Sequence, residues 1–411
     1  MDGTAPPKDY GKWYDLICEL LRHCVERYGT EEANSWYWEL WNEPDIFYWQ
    51  GSLEEYCKLY DYTTSAIEAV LPDTRIGGPA TTGPNADGNS AAWLDRFLDH
   101  CVNGRNYHTG KNGTRLDFVS FHAKGGSYRP AWGKPCNMVE KQTPSTRNLL
   151  SQVKLGLEII EKYPSLKGVR CILTECDTDG WAAGGIWDNP NLRFRNTEYY
   201  PSYVVTVLKK LIDLAEDYGR ELDALTWAFM FEGERTFEGT RTFTTNGIDK
   251  PILNLFRMLS HLGNTRLQFS VSSMAKSPLN ARGTDEAPHI DGIAAMSENK
   301  SVEVLLFSHH DDWDVYGEYD VKIEVANLPF ANDSVILAHY RIDKNHSNAH
   351  TEWVRQGCPS YPTPSQAEMI KSRQELELYE PRTQVPLMNG KLEKTISLPV
   401  HGISLLILAK E

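Results

Sequence analysis

The chain has 411 residues, with 42 basic and 56 acidic side chains and a formal net charge of −14. That balance argues against nucleic acid or an anionic membrane as partner, and no apolar run is long enough to span a bilayer. The length suits two domains, or one barrel with a satellite.

In chain order, residues 9–28 read as an amphipathic helix. Trp13, Leu16, Ile17, Leu20, Leu21, Cys24, Val25 and Tyr28 fall on one face, and Gly29 stops it. An apolar, strand-like run at 36–41 ends abruptly at Asn42-Glu43-Pro44, because proline cannot donate to a sheet ladder. Ser52 and Glu55 form a capping box for a helix reaching about Val70. Further strand-like runs lie at 75–78, 117–122, 170–175 and 225–231. Helices are predicted over 91–102, 197–217 and 251–262, and from Pro144, as first helical residue after Thr143, through Ile160. Strands alternating with helices of this length imply parallel βαβ units.

The pattern changes after Gly263. Residues 302–307, 319–325, 335–340, 374–379 and 402–408 alternate in the manner of short strands, separated by stretches such as Gly357-Cys358-Pro359 and Pro362-Thr363-Pro364. This predicts an antiparallel β-sandwich over 265–411, following a catalytic domain over 1–264.

Each strand of the first half ends in polar residues, and in a (β/α)8 barrel all such ends converge on one face. Glu43 and Glu175 each close a hydrophobic strand, where an ionised group needs a reason to be. Two such carboxylates suit the double displacement of a sugar-cleaving enzyme: one gives a proton to the leaving oxygen, the other attacks the anomeric carbon. Asn42 suits a ring hydroxyl, or is a turn residue before proline. Trp227 is a stacking platform or core. His122 is a pocket residue or a buried histidine satisfied by backbone, and Lys124 meets a substrate oxygen or a structural carboxylate. Aromatics reach 11%, with 12 Trp and 20 Tyr, and flat rings suit sugars, although most of these belong to the core. The eight cysteines show no Cys-x-x-Cys pair and no His-rich companion, so no metal and no cofactor is expected. Cys176, beside Glu175, is assigned to packing rather than nucleophilic attack. No secretory signal peptide precedes Asp2, so the sequence does not specify export; a bacterial cytoplasm or periplasm is the expected setting.

These residues resemble glycoside hydrolase family 39, which holds bacterial β-xylosidases and animal α-L-iduronidases. Trp41-Asn42-Glu43-Pro44 is similar to the acid/base motif and Leu173-Thr174-Glu175 to the nucleophile strand. Ile76-Gly77-Gly78-Pro79, the run from Asp117 to His122 and the run from Thr245 to Pro251 make the resemblance more specific. It implies Glu43 as acid/base, Glu175 as nucleophile, and sugar contacts from Asn42, His122, Lys124, Trp227, Glu232 and Glu234. By the same resemblance Lys124 matches a lysine that meets the substrate carboxylate in iduronidases. An acid near the sugar's C5 position, Glu232 or Glu234, would instead disfavour a uronate and favour a pentose.

The expectation is therefore a retaining, exo-acting β-xylosidase acting on an oligosaccharide or small glycoside. An iduronidase-like uronide hydrolase, or a carbohydrate-binding remnant of weak activity, is the alternative. Family members begin with three further βα units, so the resemblance implies an N-terminally truncated (β/α)8 barrel of about five units plus the sandwich. An open sheet edge would let two chains associate as a homo-oligomer.

Overall fold

The computed structural model describes residues 4–181, 184–229, 233–272, 288–329 and 334–410. The chain divides into two compact units. The first comprises residues 1–125, 147–177 and 211–227, the second 126–146, 178–210 and 228–411.

In chain order the first half runs α1 (Tyr10–Tyr28), α2 (Thr30–Ser35), β1 (Tyr37–Glu39), α3 (Leu53–Val70), β2 (Arg75–Thr81), α4 (Asn89–Asn103), β3 (Phe118–Lys124), α5 (Thr146–Ile160), β4 (Arg170–Asp177), α6 (Tyr199–Asp217) and β5 (Leu222–Ala224). The strands form one sheet in the order β1-β2-β3-β4-β5, parallel throughout. Among the described residues this sheet has five strands, with β1 and β5 at its edges.

Local chemistry sets the helix ends. The Asp9 carboxylate accepts from the amides of Gly11 and Lys12, and Ser52 and Glu55 cap α3 reciprocally. Two glycines let backbones meet. A Cβ on Gly77 would lie 2.3 Å from the Phe118 carbonyl oxygen, and one on Gly156 would lie 2.2 Å from the Phe121 ring. The first allows β2 to pair with β3, and the second lets α5 lie against the sheet.

Several expectations shift. The buried stripe of α1 runs through Cys18, Leu21 and Cys24, while Leu16, Leu20 and Tyr28 are exposed. The helix expected from Pro144 starts at Thr146, where the Asp311 carboxylate accepts from the Thr146 amide at 3.1 Å. That cap comes from a distant segment that local pattern cannot reveal. Of the strand expected over 225–231, the described residues 225–229 lie beyond a strand at Leu222–Ala224, and 230 and 231 fall outside the described residues. Leu225 still donates to the Leu173 carbonyl at 2.9 Å, but the next ladder position is lost because the Trp227 amide turns to the Asp177 carboxylate.

The second unit contains β6 (Thr244–Thr245), β7 (Ile248–Asp249), α7 (Pro251–Ser260), β8 (Thr265–Leu267), β9 (His289–Met296), β10 (Val302–His309), β11 (Glu318–Val325), β12 (Ser334–Ile342), α8 (Ala349–Arg355), α9 (Pro364–Lys371), β13 (Glu377–Pro386), β14 (Leu392–Pro399) and β15 (Ile403–Ala409). One sheet has the order β13-β12-β15-β10-β9-β8, and β11 pairs with β14. Val304, Leu306, Leu337 and Leu406 of the larger sheet share one apolar cluster with Ile323 and Ile396 of the pair. The turn stretches at 357–359 and 362–364 are flanked by two helices that the sequence pattern did not mark, α8 and α9, the second opened by a Thr363–Gln366 capping box. The strand expected at 374–379 begins only at Glu377.

A boundary at 264/265 is not where the units part. The segments following β3 and β4 belong with the C-terminal strands: Tyr199 Oη donates to the Asp311 carbonyl at 2.7 Å, and Lys141 pairs with Asp312. Asn254 on α7 likewise donates to the Ser347 carbonyl at 2.9 Å.

Histidines are buried within this unit. His309 Nδ1 lies 2.9 Å from Ser202 Oγ, and the His309 and His401 rings are 5.4 Å apart. Burial pushes both below the ordinary histidine range, His309 against the opposing pull of Asp311 and His401 with added repulsion from His309 and His310. Burial and Lys250 push His350 down to about 4. The folded chain thus binds fewer protons than the unfolded chain below the ordinary value near 6.5. Stability is fully present above that value and is lost as pH falls towards the depressed ones. The thermal midpoint should therefore drop between pH 7 and pH 5, with a shallower pH slope in His401→Asn; a midpoint flat over that range would refute this.

Candidate active site

The residues that the structure brings together lie in the first unit, at the carboxyl ends of β1, β3 and β4. After β1 the backbone takes left-handed conformations at Trp41 (φ 69°) and Glu43 (φ 46°), and Ala80 beside it does the same (φ 51°). Such geometry at non-glycine residues costs on the order of 1 kcal/mol each, so neighbours must impose it. They do so here. The Glu43 amide donates to the Ala80 carbonyl at 2.9 Å, and the Trp41 indole to the Tyr48 carbonyl at 3.0 Å. Tyr56 Oη donates to the Leu40 carbonyl at 2.9 Å, and the Trp41 ring meets Trp49 edge-on at 5.1 Å. The result turns Glu43 out of the strand line.

β3 and β4 supply the rest by simple alternation. Residues two apart share a face of a strand, so His122 goes with Lys124 and Glu175 with Asp177. In the parallel register Lys124 is the direct partner of Asp177, after an irregularity between Phe121 and Ala123. His122 is 1% exposed, and its Nδ1 lies 2.8 Å from Glu43 Oε1 and 3.6 Å from Glu175 Oε2. Lys124 Nζ donates to Glu175 Oε2 at 2.6 Å and also to Asp177. Asp177 in turn accepts from Thr226 Oγ1 at 2.8 Å and from the Trp227 amide at 3.0 Å, tying the chain after β5 to β4.

One donor atom each from Glu43, His122 and Glu175 falls within 4.8 Å of the others. The carboxylates therefore face each other across a gap too small for a water plus a sugar ring. Cys176 is half-buried, and burial raises its thiol to about 12, which keeps it protonated rather than a nucleophilic thiolate.

The structure thus brings Glu43, His122, Lys124 and Glu175 together. Asn42 is exposed next to Glu43, and Trp227 is 44% exposed after β5. Glu234 belongs to the second unit, where it is buried and accepts from the Thr240 hydroxyl. Glu232 lies outside the described residues. Sequence reasoning did not assign Asp177 a role, although its spacing from Glu175 was a usable signal. It also passed over Glu39, four residues before Glu43. Water reaches Glu39, yet loss of hydration raises its carboxyl above the usual range, with Ser120 and His122 pulling the other way.

The model of "Glycosyl hydrolases family 39" matches residues 2–389. A β-xylosidase of Caldicellulosiruptor saccharolyticus is 28% identical over 387 residues, covering 91% of this chain and 68% of the relative. The α-L-iduronidase of Homo sapiens is 23% identical, over 90% of this chain and 56% of its own length. Among solved structures, a bacterial orthologue of human α-L-iduronidase superposes with a TM-score of 0.78 at 20% identity. It covers 98% of this chain and 66% of that one. A monomeric β-xylosidase from Caulobacter crescentus gives 0.76 at 22% identity, over 99% and 76%. The chain thus spans between about half and three quarters of the length of the proteins it matches. These likenesses show a TIM-barrel-like α/β domain followed by a C-terminal β-sheet domain.

Asp177 is the buried carboxylate on which Lys124 and the β5 exit both depend. Asp177→Ala should destabilise the chain by about 3 kcal/mol in denaturant unfolding, since it leaves a cation half-paired, while Asp177→Asn should lose less. An Ala variant within 0.5 kcal/mol of wild type, inside ordinary surface-substitution scatter, would contradict that assignment.

Proposed function

The chain belongs to glycosyl hydrolase family 39, and on that premise we propose a retaining, exo-acting hydrolase that removes β-linked xylose from non-reducing ends. The observation that carries the reading is the approach of Glu43 and Glu175 to within 4.8 Å through their nearest site atoms, with His122 between them. Retaining enzymes hold their carboxyl groups about 5–5.5 Å apart, whereas inverting ones need about 6.5–9.5 Å to admit a water.

In the first step an oxygen of Glu175 attacks the anomeric carbon as the bond to the leaving oxygen breaks. That oxygen keeps the electron pair and takes a proton from Glu43. In the second step water attacks the same carbon, the bond to Glu175 breaks, and Glu43 accepts the water's proton. His122 keeps the Glu43 carboxyl aimed, and Lys124 supplies the counter-charge to Glu175. Asn42 binds the hydroxyl beside the anomeric carbon, and Trp227 offers its exposed ring to a sugar face. Glu234 and Glu232 complete the proposed sugar contacts on the strength of the family resemblance alone. We read the C-terminal domain as a two-layer sandwich, supported by the apolar cluster its two sheets share.

Charge favours a neutral sugar. Lys124 is already paired with Glu175 and Asp177, and Glu43 stands close to Glu175, so a substrate carboxylate would enter a site with more acid than base. A uronide reading draws on the same Lys124, which alone of these side chains could meet such a carboxylate.

A panel of aryl xylosides, arabinosides and iduronides separates the two readings, with the xyloside expected to be cleaved best. Glu175→Ala should lower kcat by on the order of 10⁴-fold or more. Glu43→Ala should lose about 10²–10⁴-fold on poor leaving groups and much less on activated ones. Proton NMR of the first-formed product should show the substrate's anomeric configuration; first-formed product of the opposite configuration would overturn the mechanism.

A further inference from the structure

The segments that follow β3 and β4 carry two strongly exposed tryptophans that no step of the proposed reaction uses. Trp132 is 70% exposed and Trp187 59% exposed, both in the second unit. Neither ring is loose. The Trp132 indole N–H donates to Asp188 Oδ1 at 2.8 Å, and the Ala131 amide donates to the Asp188 carbonyl at 2.6 Å. Asp188 is itself held by the Gly185 amide on Oδ2 at 2.8 Å, and the neighbouring Asn189 donates to the Arg129 carbonyl at 2.9 Å. The Arg235 guanidinium lies 4.4 Å from the centre of the Trp187 ring, and the Arg235 amide is anchored on Glu238 at 2.8 Å. The two loops are thus stapled to one another, with an indole fixed on each.

A fixed and hydrated indole has already given up the rotational freedom that binding would otherwise cost. Its face suits the C–H groups of a pyranose, and the charged groups at its edge suit hydroxyls. The cation already lying over Trp187 disfavours a cationic ligand there. The acid–base mixture of Asp188, Arg235 and Glu238 fits a neutral, hydroxyl-rich one.

From this arrangement we infer that Trp132 and Trp187 form a second sugar-holding surface, which binds pyranose units of an oligosaccharide by stacking, apart from the unit that is cleaved. The inference rests on the reading of the chain as a glycoside hydrolase. It adds to that reading a place on the second unit that holds sugar.

The test uses the full chain carrying Glu175→Gln, so that ligands persist, with xylose and xylohexaose titrated by calorimetry. Trp132→Ala should weaken xylohexaose binding about five- to tenfold and leave xylose binding unchanged, with Trp132→Phe restoring part of the loss. In the otherwise wild-type chain, Trp132→Ala should leave kcat/KM for an aryl xyloside as it was. Xylohexaose affinity unmoved by both Trp132→Ala and Trp187→Ala would overturn the inference. If aryl xylosides are not cleaved by the wild type, the proposed activity fails separately. Cello- and manno-oligosaccharides then serve as probes, and a Trp132-dependent affinity for either upholds the surface, while none for any of the three overturns it.

Discussion

Three carboxylates at the ends of neighbouring strands must be held together against their own repulsion, and much of the first unit's site is arranged around that constraint. Glu43, Glu175 and Asp177 converge on one lysine and one histidine. Lys124 meets two of the acids and His122 spans the other pairing, so no member can move without leaving a charge or a buried ring nitrogen uncompensated. The network is also what fixes the exit of β5, because Asp177 takes the Trp227 amide that would otherwise continue the ladder.

Geometry of this kind depends on rigid support. The turn after β1 stores backbone strain at Trp41 and Glu43, and the restraints that hold it are aromatic: Trp41 on Trp49, and Tyr56 on the Leu40 carbonyl. This explains part of the chain's aromatic content in terms other than sugar stacking. Many of its rings are buried, including Tyr56, Tyr60, Phe97 and Phe118, which pack the helices against the sheet. The exposed indoles are therefore the informative minority.

Much of the α/β half was legible in advance. Apolar periodicity over 9–28 with Gly29 as its stop, and the capping box at Ser52, placed α1 and α3 within a residue, because those signals are local. Glu43 and Glu175 stood out because a carboxylate ending an apolar strand is rare without a function. The misses share one physical origin. The start of α5 is set by Asp311, more than 160 residues away, and the position of β5 by a carboxylate on β4. The C-terminal half was less readable, since short alternating runs do not specify their partners, and α8 and α9 lay hidden among turn residues.

By itself the sequence determined the alternation of strands and helices, the two glutamates and their family motif, because each is written in neighbouring residues. Tertiary structure alone decided which side chains meet. The pairing of Lys124 with Asp177 follows from strand register, and the closeness of Glu43 to Glu175 from a left-handed turn braced by aromatics. The grouping of the loops with the C-terminal strands follows from hydrogen bonds between residues far apart in the chain. Register, strain and long-range capping are properties of two segments at once, and no single stretch of sequence carries them.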